Sequence, residues 1–192
     1  MAVKIPIVAI GGIGWTNGAE ALEAGRSRTA GLIAVSALAG SGDVAGAEEL
    51  LAQIEGRNPE TDQLFWEWTA PERRADIAIA EGNPELALEL LEGTRPYELR
   101  RLFPIDLRAR AYLAAGKGAE AVAEFERVIA ARTINPAHPI HATAILGKAR
   151  GHALAGDTDA ARAAYNDFLT LWRHADPDIP LLQQAQAELD SL

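Results

Sequence analysis

The chain has 192 residues, room for one compact domain or a short repeat array and too few for two full-sized catalytic domains. Hydrophobic residues (48%) outnumber charged ones (23%), which excludes a disordered tail, and about a fifth of the chain is alanine against 6% aromatic residues, a balance that favours packed helices over sheets. The net charge of -9 is the wrong sign for gripping phosphate backbones, so no nucleic acid is expected as partner, and the lack of cysteine removes disulfides, thiolate nucleophiles and thiolate-held zinc.

In chain order, residues 1–17 read as a strand-like or irregular leader. Its apolar run, 3–15, is interrupted by Lys4, Pro6 and glycines and falls short of the roughly 20 residues of a membrane helix, so no membrane span is expected. Lys4 ahead of that run and the small-x-small stretch Ala19-Glu20-Ala21 leave export by a signal as the alternative to a cytoplasmic location. After Gly12 and Gly14 the next glycine is Gly18, which misses the dinucleotide-binding spacing, and no cofactor is expected. Residues 20–24 read as the remaining half of an earlier repeat.

From residue 28 onward the chain repeats itself. A small-rich helix ends in Gly plus a polar residue; Ala follows five residues after the Gly and a large apolar residue four later. The four instances are Gly42 with Ala47 and Leu51, Gly82 with Ala87 and Leu91, Gly116 with Ala121 and Phe125, and Gly156 with Ala161 and Tyr165. The glycine intervals are 82−42, 116−82 and 156−116, or 40, 34 and 40. Two antiparallel helices need a tight turn, and Gly enters the left-handed conformation without a Cβ penalty. The Ala sits where the helices cross most closely, and the large residue one turn on fills the space the backbones leave. The predicted pairs are 28–39 with 44–55, 62–81 with 84–91, 102–115 with 119–131, and 139–155 with 158–174, the six-residue surpluses enlarging the connections near 61–68 and 135–139. A last helix is signalled by Asp178 as N-cap, Pro180 in the first turn and the stripe Leu181, Leu182, Ala185, Leu189 and Leu192. The expected organisation is a leader and partial repeat over 1–27, repeats over 28–177 and a capping helix over 178–192.

The repeat resembles the tetratricopeptide repeat (TPR) family. With each turn glycine at the fifteenth position, small residues stand at the eighth in Ala75, Ala109 and Ala149, Tyr112 takes the usual first-helix aromatic place and Pro59 the closing proline of the first repeat. Departures are Val35 at the first eighth position, His152 where Tyr is usual, and Pro71 inside a first helix, where a kink is expected. The resemblance implies an all-α, right-handed α-solenoid of about four helix pairs closed by a C-terminal helix. The stretch from Gly156-Asp157-Thr158 through Ala161 to Tyr165, Leu171-Trp172 and Asp176-Pro177-Asp178-Ile179-Pro180, with Pro96 to Leu99 upstream, is similar to the C-terminal TPR region of bacterial membrane-anchored serine/threonine protein kinases. The Gly-rich, HRD and DFG motifs of a kinase are missing, so no phosphoryl transfer or ATP binding is implied.

Catalytic groupings are poor. His138 and His141 flank Pro139 without an acidic or thiol partner to complete a metal set, His152 replaces a packing aromatic, and His174 near Asp176 has no nucleophile beside it. Glu48/Glu49 and Asp157/Asp159 suit solvated faces and caps, so neither an enzyme nor a metal site is expected. Phe65, Trp66 and Trp68 suit a core plug or a contact surface. The TPR resemblance implies a protein-interaction module binding a peptide or partner helix in a concave groove, with groove residues at the second, fifth and ninth positions of the first helices. They are Thr69, Glu72 and Asp76, then Phe103, Asp106 and Arg110, then Thr143, Leu146 and Arg150. A self-associating scaffold, or a fragment of a kinase-linked sensor region, is the alternative, and the oligomeric state is left open.

Overall fold

The computed structural model describes residues 27–133 and 140–192. The leader, the half repeat at 20–24, His138 and Pro139 lie outside the described residues. Among those described there are nine α-helices and no strand. Helices α1 (Arg28–Ser41) and α2 (Val44–Arg57) form the first pair, α3 (Ala70–Ala80) and α4 (Pro84–Glu92) the second, α5 (Phe103–Ala114) and α6 (Gly118–Ala130) the third, and α7 (Ile140–Leu154) and α8 (Thr158–Leu171) the fourth. Helix α9 (Pro180–Asp190) follows.

Each pair turns on its predicted glycine. Gly42, Gly82, Gly116 and Gly156 have φ of 87°, 76°, 74° and 81°, and no other described residue has positive φ. At each turn the glycine N–H and the next N–H donate back to the last carbonyls of the first helix, as in Gly42 to Ala39 and Asp43 to Leu38, both 3.0 Å. This double closure satisfies carbonyls that the helix end leaves without partners. The residue after the glycine then starts the second helix. Asp43, Asn83 and Asp157 accept the N–H groups of Gly46, Leu86 and Ala160 through their side chains, whereas Lys117 has no acceptor to offer and caps nothing. Ala47, Ala87, Ala121 and Ala161 are completely buried, as their place at the helix crossing requires.

Two expectations are refined. The kink at Pro71 takes the form of a π-helical turn, Phe65–Thr69, in which the Ala70 N–H reaches back to the Phe65 carbonyl. Proline has no N–H to give, and Pro71 falls in the first turn of α3, where none is needed. The cap of α9 is Ile179, not Asp178. The residue before a proline is driven to extended backbone, so Ile179 becomes the half-helical position and Asp178 lies one residue too early to cap.

The described residues gather into two compact units, one ending at Thr94 and one beginning at Arg95. The first unit packs Val35, Leu50, Leu51, Ile54, Phe65 and Ile77 into one core. The second has two clusters, one around Phe125 between α5, α6 and α7, the other around Leu146, Tyr165 and Phe168, onto which α9 lays Leu181, Leu182, Ala185 and Leu189. Ala185 is fully buried and the leucines partly so, each leucine contributing less than the about 1.5 to 3 kcal/mol of complete burial, and together they hold α9 in place.

Candidate functional site

In the second unit the first helices α5 and α7 are neighbours. Pro104 in the first turn of α5 sets its start, leaving Phe103 partly exposed at the edge. One turn on, Asp106 is buried and carries an ion pair at 3.2 Å to Arg110, itself about one third exposed. The two lie four apart and so on one face of α5. On α7, Thr143 is exposed, its hydroxyl donating to the Ile140 carbonyl, and Leu146 is buried in the cluster under α9. Arg150 donates from Nε and Nη2 to the two carboxylate oxygens of Glu188 on α9, at 2.9 and 3.0 Å. The Tyr165 hydroxyl donates to the same carboxylate at 2.9 Å. Burial first, and then its bond to Glu188, push the Tyr165 phenol above its ordinary value, so it is a donor at all physiological pH. Both arginines of the stripe therefore already hold a carboxylate of this chain.

In the first unit, Thr69 stands in the π turn, partly exposed, while Glu72 and Asp76 on α3 are buried. Between them Arg73 reaches across to the Ser36 hydroxyl on α1. Its guanidinium also lies 3.7 Å from the Glu72 carboxylate. Phe65 is also inside, with the Trp66 ring edge-on to it at 4.9 Å and the Arg28 guanidinium 5.5 Å from its ring centre. The Trp66 indole donates to the Pro59 carbonyl at 3.1 Å.

Sequence reasoning missed a buried ionic cluster in the second unit. Arg108 on α5 is 1% exposed and faces Glu98, in the 3₁₀ turn Arg95–Arg100, and Glu124 on α6. Arg127 clamps the same two carboxylates, at 2.6 Å to Glu98, and Arg95 lies 3.9 Å from Glu124. Burial pushes the Glu98 carboxyl up, but the hydrogen bonds and charges of Arg108 and Arg127 outweigh it and hold Glu98 below the usual carboxylate range. The signal was there: Arg108 directly precedes the small eighth residue Ala109 in the middle of a helix with buried neighbours on both sides, where a charge demands a partner.

His141 is buried at the start of α7, His152 is mostly buried with Asp157 at 3.7 Å, and His174 is exposed beyond α8. Among the described residues no three His, Asp or Glu side chains converge as a metal site. None of the described helices is long and apolar enough to cross a membrane.

No family model and no curated protein matches the chain. Among solved structures it is similar to the crystal structure of a kinesin-light-chain-type protein from Podosopora anserina with nearly identical TPR-like repeats. The identity is 22%, the TM-score 0.60, and the match covers 91% of this chain and 85% of that one. At that identity the likeness shows the fold. The chain has an all-α repeat fold of the TPR type.

Proposed function

We propose that this chain is a non-enzymatic interaction module that receives an acidic peptide or the acidic face of a partner helix on the first-helix stripe of its second unit. The observation that carries the reading is the pair Arg110 and Arg150 on neighbouring helices, each partly exposed and each holding a carboxylate, Asp106 and Glu188. A ligand carboxylate entering the stripe meets guanidinium groups already oriented by the internal carboxylates and shares them. Phe103 and Thr143 add an apolar and a polar contact at the same edge. Within the second unit Phe103, Arg110, Thr143 and Arg150 offer surface to a partner, and Asp106 and Leu146 are buried beneath them; in the first unit, taken by itself, Thr69 is partly exposed and Glu72 and Asp76 are buried. The taking up of Phe65 and Trp66 by packing favours this reading over self-association through the tryptophan-rich segment. The likeness of residues 156–180 to kinase-linked repeat regions makes signalling assemblies the first place to seek the partner.

The test is a binding titration with acidic peptides followed by Arg110→Glu and Phe103→Ala variants. Binding should weaken with salt and fall in both variants while helicity is retained below the melting transition, each exposed ionic contact contributing on the order of 0.2 to 1 kcal/mol; Arg110→Glu, which leaves the buried Asp106 without its cation, should also lower the melting temperature. Undiminished binding by both variants would overturn the reading.

A further inference from the structure

The first unit holds a cleft that the stripe does not use. It has a volume of about 350 Å³ and lies between α2 and α4, with α3 as its floor. Each helix contributes residues at helical spacing. Leu51 and Ala52 come from α2, Ile77 and Ala78 from α3, and Leu86 and Leu90 from α4. The lining is therefore apolar, and Leu86, at its mouth, is 39% exposed. The rim is acidic. Glu48 and Glu55 stand one turn to either side of the α2 pair, and Glu81 ends the α3 row. Among the described residues the one rim cation is Arg74, and it is bound to Glu55 at 2.8 Å. Glu48 and Glu81 are exposed and have no side-chain ion pair or hydrogen bond among the described residues.

The position of this cleft separates it from the proposed groove. At 3.6 residues per turn, positions 74, 77, 78 and 81 lie about 170° around α3 from Glu72 and Asp76. One face of α3 belongs to the first-helix stripe, and the other is the floor between two second helices. Parallel rows spaced i, i+3 and i+4 form ridges that accept the ridge of another helix, and an apolar floor inside an acidic rim selects the sign of its flanks.

We propose that this cleft is a second docking surface, and that its occupant is a basic amphipathic helix of a partner protein, with leucine-type side chains in the floor and lysine or arginine against Glu48 and Glu81. The inference is independent of the acidic-ligand reading of the first-helix stripe, because it uses the opposite face of α3 and a ligand of opposite charge.

The test uses the full chain and two labelled synthetic peptides, followed by fluorescence anisotropy. One is a helix-forming peptide with leucines at i, i+4 and i+7 and lysines on both flanks; its twin carries glutamate in place of every lysine. The lysine peptide should bind with an affinity that falls as salt rises, and the glutamate twin should bind at least about tenfold more weakly, as like charges facing each other require. Replacing two exposed rim charges, Glu48→Lys with Glu81→Lys, should weaken the lysine peptide by about tenfold, from roughly 0.5 to 1 kcal/mol at each site. Ala52→Trp, at an exposed position on the rim, should fill the floor and block the same peptide with the melting temperature unchanged. Equal binding of the twins, or undiminished binding by the Ala52→Trp chain, would overturn the proposal. So would loss of the lysine peptide on Arg110→Glu with Ala52→Trp without effect, which would place the peptide on the second unit.

Discussion

The two units build the same seam in two ways. In each, a second helix meets the first helix of the next repeat, α2 with α3 in one unit and α6 with α7 in the other. Both seams carry an ion pair from the seventh repeat position, Arg74 to Glu55 at 2.8 Å and Lys148 to Glu126 at 3.0 Å. They differ at positions six and ten. The second unit has Gly147 and Gly151 there, and the helices close onto each other. A Cβ on Gly147 would fall 2.3 Å from the Phe125 ring, and one on Gly151 2.8 Å from Val122 Cγ2. On the facing helix a Cβ on Gly118 would fall 2.6 Å from the Gly151 carbonyl. The first unit has Arg73 and Ile77 at those positions, and beside Ile77 the seam opens into the acidic-rimmed cleft. Glycine at both positions lets the second-unit seam close, whereas in the first unit Ile77 lines the open cleft and Arg73 turns away to Ser36 on α1.

The largest expected effect contrasts one repeat position across the units. Arg74 and Arg108 both stand seventh, the first about half exposed in a single pair and the second buried between two carboxylates. Arg108→Met leaves Glu98 and Glu124 buried beneath the more exposed Arg127 and should cost about 3 to 5 kcal/mol in urea denaturation. Arg74→Met should cost less than about 1 kcal/mol. The same cluster sets an acid limit. Because the native Glu98 carboxyl is held below its ordinary value of 4.5, the unfolded chain binds its proton more readily, and its contribution is full above that value and lost as pH falls through the lowered one. Glu98→Gln should therefore lower stability at neutral pH and flatten the acid limb of a stability-against-pH curve.

Next in size is the seam itself. Gly147→Ala gains up to about 1 kcal/mol of helix propensity but drives a methyl into the buried Phe125 ring, and overpacking of about 1 to 3 kcal/mol should win. Ala52→Val, on the open seam, should stay within about 0.5 kcal/mol of the parent. A destabilised Ala52→Val beside an unaffected Gly147→Ala would reverse the comparison. The smallest effect concerns the turns. Asn83 caps α4 and Lys117 leaves α6 without a side-chain cap, so Asn83→Ala should cost, and Lys117→Asp should add, about 1 kcal/mol by thermal melting.

The turn glycines, the alanines that follow them and the large residues one turn on were legible in the amino-acid order because each follows from local geometry. Left-handed backbone needs Gly, and a close crossing needs Ala, wherever the pair sits. Pro71 announced an irregular first helix by the same logic, though not that a π turn would absorb it, since that depends on Phe65 finding the core. The stripe of nine came from register, which gives an angle about a helix axis and is silent on what lies opposite. Leu146 ends under α9, and Arg150 is held by Glu188, 38 residues later. The ionic cluster depends likewise on a 3₁₀ turn folding back over α5 and α6. Amino-acid order by itself determined the repeat, its turns and its small-residue crossings, because these are set by conformational preferences and packing volumes within a few residues. Only the tertiary structure decided which arginine is buried, which carboxylate occupies the stripe and which seam stays open, because burial and charge pairing are settled by groups that meet across chain separations no local period encodes.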